Sequence, residues 1–217
     1  MGKNILVIAA TAKEINPFIE LTRTGDLKNN IDILISGIGL AASTYHLAKQ
    51  LALKKYDVVI QAGVAGSFDL TIPLGSVVTV KQDTIADQSV VELEKLKTLF
   101  DLKLVPQDQY PYKKGWLINQ NKDLLKKIKL KIVKGISVNQ ITTSNQMIKF
   151  YRDVFDPVTE SMEGAALHYV CLMENVPFIQ IRGVSNYIGE RNKKKWDMMD
   201  SIINLNKAIT TIITSWK

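Results

Sequence analysis

The sequence predicts an α/β fold, three layers of α/β/α built around a central mixed sheet. Three observations point to it. Short runs rich in Val and Ile recur along the chain, and amphipathic stretches of helical period separate them. Glycines or small residues stand where several of these runs end. Continuous apolar runs are what a sheet covered on both faces requires, and their alternation with helices favours a largely parallel or mixed sheet.

The elements follow in order. Residues 5–10 form a buried strand that stops at Lys13-Glu14; the run is too short, and lacks a cleavage site, for a secretion signal. A helix over 12–22 follows, with Glu14 in its first turn, where the helix dipole favours a carboxylate. A strand at 31–36 leads through Gly37-Ile38-Gly39 into a helix at 40–54. Strands at 58–62 and 76–80 come next. The stretch 87–114 is the least regular; it is charged, holds Pro106 and Pro111, and reads as a flap or partner-contact segment. Then come a helix at 123–128, a strand at 132–138 and a helix at 145–155. A helix at 162–174 presents a buried stripe of Met162, Ala166, Tyr169, Val170 and Met173. A turn at Val176-Pro177, a strand at 178–184 and a helix at 198–215 complete the chain. With no repeat or linker, residues 1–217 are expected to form one domain.

Composition excludes several classes. An apolar content of 46 % is too high for a disordered chain. The single cysteine, Cys171, rules out a disulfide scaffold and fits a reducing compartment. No apolar run approaches the roughly 20 residues needed to span a bilayer. These readings lead to a soluble, cytoplasmic protein with no membrane partner. The net charge of +7 resides mainly in lysines, clustered around 126–134 and 193–195. No nucleic-acid motif accompanies them, and arginine occurs only at 23, 152, 182 and 191, so a solvated surface is the better reading than nucleic-acid binding.

In such folds ligands sit beyond the carboxyl ends of the strands, and four clusters fall there. The first is Thr11 to Glu14. The second, Gly37-Ile38-Gly39 to Ala42, formally matches a dinucleotide fingerprint, but it follows the second strand, and Asp57 precedes its strand instead of ending one. A tight turn with close helix packing accounts for it. The third, Gly63-Val64-Ala65-Gly66-Ser67, is small enough to let backbone approach a ligand, or simply to turn. The fourth pairs Ser161-Met162-Glu163-Gly164 with Arg182-Gly183-Val184-Ser185-Asn186; one helix and one strand separate Glu163 from Asn186, so the two ends can meet. His46, His168 and Cys171 lie inside helices and read as packing residues. No cluster has metal-ligand spacing, so neither metal nor cofactor is expected.

Taken in order, Glu14, Gly37-Ile38-Gly39, Gly63-Val64-Ala65-Gly66, Met162-Glu163-Gly164-Ala165-Ala166 and Arg182-Gly183-Val184-Ser185-Asn186 resemble the nucleoside phosphorylase/nucleosidase family over nearly the whole chain. The resemblance implies a nucleoside phosphorylase/hydrolase-like fold and cleavage of a purine N-glycosidic bond. It implies that Glu163 holds the ribose hydroxyls with Met162 against the sugar, that Glu14 activates water, and that Arg182 fixes the water and the carboxylates. Ala65, Gly66 and Ser67 would form a wall beside ribose and base, Ile141 and Thr142 would meet the purine edge, and Ser185 and Asn186 would face the base. It also implies a homodimer or higher homo-oligomer. Residues 24–151 hold no arginine, so the phosphate clamp of a phosphorylase is missing and water is the expected nucleophile. Asn186 stands where adenine-specific members carry Asp; its NH2 suits a 6-oxo group and its oxygen a protonated N7. The run 185–191 with Trp196 narrows the resemblance to hydrolases of a hypoxanthine nucleoside whose 5′ part ends in a benzoate, with Arg191 the candidate cation. An adenosine-type nucleosidase, a 6-oxopurine phosphorylase and a non-catalytic nucleoside-binding module are the alternatives.

Overall fold

The computed structural model describes residues 2–25 and 27–216. Strands β1 (Asn4–Ala9), β2 (Asn30–Ile35) and β3 (Val58–Ser67) pair in parallel in the order β2-β1-β3. Strand β4 (Val77–Asp83) opens the second half, followed by a hairpin of β5 (Ser89–Glu92) and β6 (Lys95–Thr98) and the short edge strands β7 (Tyr112–Lys113) and β8 (Trp116–Ile118). Then come β9 (Lys131–Ser137), β10 (Thr159–Ser161) and β11 (Phe178–Tyr187). Strand β11 runs parallel to β3 and antiparallel to β4, while β10 bridges β3 and β9, and β9 pairs with β4. The sheet therefore closes on itself through β3, β10, β9, β4 and β11.

The helices are α1 (Ala12–Arg23), α2 (Leu40–Leu53), α3 (Lys122–Lys127), α4 (Asn145–Phe155), α5 (Gly164–Met173) and α6 (Met198–Ser215). Alternate residues of β1 separate the layers. Ile5, Val7 and Ala9 pack with Ile15 and Phe18 of α1 and Leu205 and Ile209 of α6. Leu6 and Ile8 pack with Leu47 and Leu51 of α2 and Leu167 and Val170 of α5. This is the expected three-layer α/β/α arrangement, with α1 and α6 on one face of the sheet and α2 and α5 on the other. No described helix is long and apolar enough to cross a membrane.

Several expectations need correction. The small residues 63–67 do not turn; they continue β3, because β11 pairs with them from Gly63↔Arg182 onward and β10 takes the other edge. Strand β11 likewise runs on to Tyr187. The helix expected from 162 begins at Gly164, with Glu163 in a non-helical conformation (φ −134°, ψ −12°) and Met162 outside it. Its stripe is broader than read: Ala166 and Val170 are buried, but so are Leu167, His168 and Cys171, while Tyr169 and Met173 are 38 % and 50 % exposed. The helix is covered on most sides, so no single 3.6-residue stripe describes it. The stretch 87–114 contains the β5–β6 hairpin, turned at Leu93-Glu94 with positive φ at both residues, as a two-residue hairpin loop requires. Its strands are polar and short, which hides them in the sequence.

The histidines and the cysteine are packing residues. His168 is fully buried, bonds the Leu117 carbonyl through Nδ1 at 2.9 Å, and is pushed down to about 4 by burial, so it is neutral. Burial pushes the Cys171 thiol up and keeps it protonated. His46 Nδ1 lies 2.9 Å from the Ser36 carbonyl and 3.0 Å from that of Ala42, tying α2 to the preceding turn.

Candidate active site

The carboxyl ends of β1, β3 and β11 and the start of α5 enclose a cavity of about 390 Å³. Its wall includes Thr11, Glu14, Val64, Ala65, Gly66, Met162, Glu163, Ser185 and Asn186, with Ile141, Arg191 and Trp196 also lining it. Most of the residues singled out in the sequence meet here because strand ends, not loops of arbitrary course, carry them.

Glu14 is held at three points. Its Oε2 accepts from the backbone N–H of Thr11 at 2.9 Å and from the Thr11 hydroxyl at 3.0 Å, and its Oε1 accepts from the N–H of Val64 at 3.1 Å. The first of these bonds satisfies the open backbone N–H that precedes α1. The third ties the carboxylate to β3. Gly63 makes this approach possible: a Cβ there would stand 2.4 Å from Arg182 Nη1 and 3.0 Å from Glu14 Oε1.

Glu163 sits ahead of α5 and is 6 % exposed. Its Oε1 accepts from the Gly39 N–H at 3.0 Å, and its Oε2 lies 3.7 Å from Arg182 Nη1. Burial raises its carboxyl above the usual range, and the Arg182 charge and the Gly39 bond pull against that rise. The Gly37-Ile38-Gly39 turn thus delivers a backbone donor to a carboxylate. Gly39 adopts φ +92°, a conformation that suits glycine.

Arg182 lies behind the cavity wall, 1 % exposed. Its Nη2 donates to Gln61 Oε1 at 2.7 Å, and Gln61 Nε2 donates to the Glu163 carbonyl at 3.3 Å. Arg182 therefore pairs with the Glu163 carboxylate from below and does not itself line the cavity. Beyond it, β11 bulges at Ser185, so that Asn186 pairs with Gly66. The Ser185 hydroxyl donates to Asn186 Oδ1 at 3.0 Å, and Asn186 Nδ2 donates to the Tyr187 carbonyl at 3.1 Å. Asn186 is among the residues that line the cavity.

Two anticipated contacts do not reach the cavity. Ser67 is fully buried and its hydroxyl bonds the carbonyls of Asp69 and Val158, because β3 continues past Gly66 into the sheet. The Thr142 N–H is taken by Glu160 Oε1 at 3.0 Å, leaving the exposed Ile141 side chain as the lining group of that loop. Arg191 stands at the mouth with its guanidinium 5.5 Å from the Trp196 ring centre, a cation–π arrangement, and Lys13 lines the same cavity. The sequence reading missed Glu160, which also lines the cavity; it lies on a three-residue strand whose sequence carries no periodic signal. No group of three or more His, Cys, Asp or Glu among the described residues could hold a metal ion.

Chemically, the cavity wall offers the carboxyl groups of Glu14, Glu160 and Glu163, the last paired with a buried guanidinium, beside small backbone and an amide. Known proteins resemble the chain over most of its length. A futalosine hydrolase of Streptomyces coelicolor is 25 % identical over 213 residues, spanning 93 % of this chain and 89 % of that protein. The fold is also that of a mutant 5′-methylthioadenosine/S-adenosylhomocysteine nucleosidase of Helicobacter pylori with 5′-methylthioadenosine in its active site, at 23 % identity and TM-score 0.80, covering 99 % of this chain and 100 % of that one. The native futalosine hydrolase of Helicobacter pylori strain 26695 superposes with TM-score 0.81 at 21 % identity, covering 98 % of each chain. Residues 3–214 match the phosphorylase superfamily, and the chain belongs to that family.

Proposed function

We propose that the protein is a purine nucleoside N-glycosidase that hydrolyses futalosine, releasing hypoxanthine and the dehypoxanthine product as a step of menaquinone biosynthesis. The observation that carries this reading is the meeting of Glu14, Glu163 and Arg182 around Gly63, one strand-end away from Asn186.

The chemistry follows from the charges. Breaking the bond between C1′ and N9 sends its electron pair into the base and leaves an oxocarbenium-like ribose. The buried Glu163 carboxylate, held by Gly39 and balanced by Arg182, hydrogen-bonds the ribose hydroxyls and stabilises the cation in a site of low dielectric. Glu14 takes a proton from the water that adds to C1′, a general-base role. Asn186 meets the leaving base: its amide N–H suits a 6-oxo group, and its oxygen suits an N7 that takes up a proton from solvent as the bond to C1′ breaks. Met162 packs against the sugar. Arg191 and Lys13 at the mouth suit a carboxylate at the 5′ end.

Water is the nucleophile in this reading, since the space beside C1′ is bordered by two acids that would repel a phosphate dianion. Arg152, one of the four arginines, is engaged elsewhere, donating to the Phe68 carbonyl at 3.0 Å. A second reading, an adenosine-type nucleosidase acting on methylthioadenosine, S-adenosylhomocysteine or aminofutalosine, draws on the likeness in fold to the Helicobacter pylori nucleosidase; Asn186 speaks against it. The test is a product assay on futalosine and on adenine nucleosides, with and without phosphate. Free hypoxanthine from futalosine without phosphate supports the proposal; release only with phosphate, or only of adenine, overturns it.

A further inference from the structure

We infer that Gln61 is a positioning residue of the active site: its side-chain amide holds the Arg182 guanidinium back from Glu163, so that the Glu163 carboxylate stays open to the ribose hydroxyls. The inference deepens the hydrolase reading above and rests on it for the presence of a ribose.

The placement of Gln61 supplies the first argument. It interrupts the apolar run of Val58, Val59, Ile60 and Ala62 in β3, and it is 2 % exposed. Ile60 and Ala62 pack toward α1 and α6. Gln61 and Gly63 therefore face the other way, toward α5, as do their partners in register, Gln180 and Arg182 of β11. A buried amide is costly unless both its ends are bonded. Here both are: Oε1 accepts from Arg182 Nη2 at 2.7 Å, and Nε2 donates to the Glu163 carbonyl at 3.3 Å. A guanidinium only donates and a carbonyl only accepts, so the amide has one workable orientation.

The second argument concerns which partner depends on it. The Glu163 carbonyl already receives the N–H groups of Ala166 at 3.1 Å and Leu167 at 3.3 Å from the first turn of α5. Arg182 has no such alternative. Among the described residues its side chain makes one hydrogen bond, the one to Gln61, and its Nε is buried with none. Gly63 sets no side chain against the guanidinium. Asp83, whose charge also acts on Arg182, is bonded by Ser137 and Gln180 instead.

The third argument is a separation. Arg182 Nη1 lies 3.7 Å from Glu163 Oε2, beyond the roughly 2.7–2.9 Å of a charge-assisted hydrogen bond. A guanidinium and a carboxylate this close in a buried site attract strongly and, left free, close into a two-pronged pair. Gln61 competes for the same guanidinium and keeps the pair open. The open pair balances the charge of Glu163 yet leaves its carboxylate able to accept from a sugar. A closed pair would occupy that acceptor and weaken the field at the developing ribosyl cation.

The experiment compares wild type with Gln61→Met, which keeps the length of the side chain and removes both polar ends. Crystal structures read the distance from Arg182 Nη1 to Glu163 Oε2, thermal melts read stability, and futalosine turnover reads kcat and KM. Gln61→Met should shorten that distance from 3.7 Å to below about 3.2 Å. Its kcat should fall about tenfold with KM little changed, because the Glu163 contact strengthens as the ribose becomes cationic. Gln61→Asn withdraws the amide by one carbon and should move both quantities the same way by less. An unchanged distance, or a kcat within about twofold of wild type in Gln61→Met, overturns the inference. A lower melt with distance and kcat unchanged marks a packing role and overturns it too, as does failure of both variants to fold. If wild type turns over no futalosine, the hydrolase reading falls, while the distance still decides whether Gln61 restrains Arg182.

Discussion

The side-chain amide of Asn206 bridges a break in helix α1 that begins at Glu14. Asn206 Nδ2 donates to the Glu14 carbonyl at 2.9 Å, and its Oδ1 accepts from the Phe18 N–H at 3.0 Å. In an unbroken helix these two backbone groups would bond each other. Here the helix departs from helical angles at Ile15 (φ −124°, ψ 17°) with Pro17 just beyond, and Asn206 of α6 occupies the gap. The first turn is thereby free to aim Glu14 at β3. Asn206→Ala leaves a buried carbonyl and N–H unpaired and is expected to cost about 1–3 kcal/mol of stability. Because the turn holding Glu14 loosens, kcat for base release should also fall about tenfold with KM little changed, read by thermal melts and steady-state kinetics. A variant that loses stability but keeps full kcat would reduce Asn206 to a packing role.

Glu163→Gln and Glu14→Gln keep the size and an acceptor oxygen of each side chain but remove its charge. Glu163→Gln withdraws the anion beneath the developing ribosyl cation and leaves Arg182 buried without its partner. Glu14→Gln removes the proton acceptor for water. Each should lower kcat/KM for hypoxanthine release by about a hundredfold or more. Rates near wild type in either variant would remove that residue from the mechanism.

Asn186→Asp tests the reading of the base. An aspartate accepts from a 6-amino group and cannot donate to O6 when ionised. The ratio of kcat/KM for futalosine over aminofutalosine should fall by about tenfold or more. The Ser185 hydroxyl, which donates to Asn186 Oδ1, can still donate to the new carboxylate, while the bond from Asn186 Nδ2 to the Tyr187 carbonyl is lost. An unchanged ratio would refute the specificity argument.

How much of this was legible beforehand differs from residue to residue. Glu163 and Asn186 lie in sequence runs that resemble a known family, and each belongs to an element end, so their meeting followed from one helix and one strand of ordinary length. Ser67 and Thr142 were misplaced because residue type does not show where a strand stops. Gly63 to Ser67 look like a turn, yet β11 and β10 pair with them on both edges and hold them extended. Glu160 and Asn206 were invisible for another reason. A three-residue strand has no periodicity, and a mid-helix Asn looks like surface. Their places emerge only from the folded cavity wall and from a contact between residues 192 positions apart. The β5–β6 hairpin was hidden by its lysines and glutamate, which suit an exposed ribbon.

Gly63→Ala probes the close approach at the centre of the site. The added Cβ would meet Arg182 Nη1 at 2.4 Å and Glu14 Oε1 at 3.0 Å. Neither group can easily withdraw, since Arg182 is bonded to Gln61 and Glu14 to Val64 and Thr11. Overpacking of this kind typically costs about 1–3 kcal/mol. The variant should melt lower and lose about tenfold or more in kcat, as the water-handling carboxylate is pushed off its position. A crystal structure with Glu14 and Arg182 unmoved, together with wild-type turnover, would contradict the steric argument.

The last prediction concerns Asp83, fully buried beneath the first turn of α5. Its Oδ1 accepts from the Ser137 hydroxyl at 2.9 Å and its Oδ2 from Gln180 Nε2 at 3.1 Å, while Ser137 Oγ accepts from the Ala165 N–H at 2.8 Å. The carboxyl thus supports the turn that follows Glu163. Burial pushes it from 3.8 up to about 6, with the two hydrogen bonds and Arg182 opposing the rise. A carboxyl raised in the folded state holds its proton there while the unfolded chain releases it. Its stabilising contribution is therefore complete below about pH 4 and is lost as pH rises toward 6, a change on the order of 3 kcal/mol. Asp83→Asn removes the titration. An amide can still accept from Ser137, and with Gln180 turned over it can donate to Gln180 Oε1, which has no partner now. Other carboxylates, such as Asp32 beside Lys54, shift the opposite way, so the informative quantity is the difference between the two proteins. Chemical denaturation from pH 4 to 7 should show wild type losing stability relative to Asp83→Asn between pH 4 and 6 and holding a constant difference above that. Parallel profiles across the range would mean that Asp83 stays ionised in the folded protein and that Arg182 and the hydrogen bonds outweigh its burial.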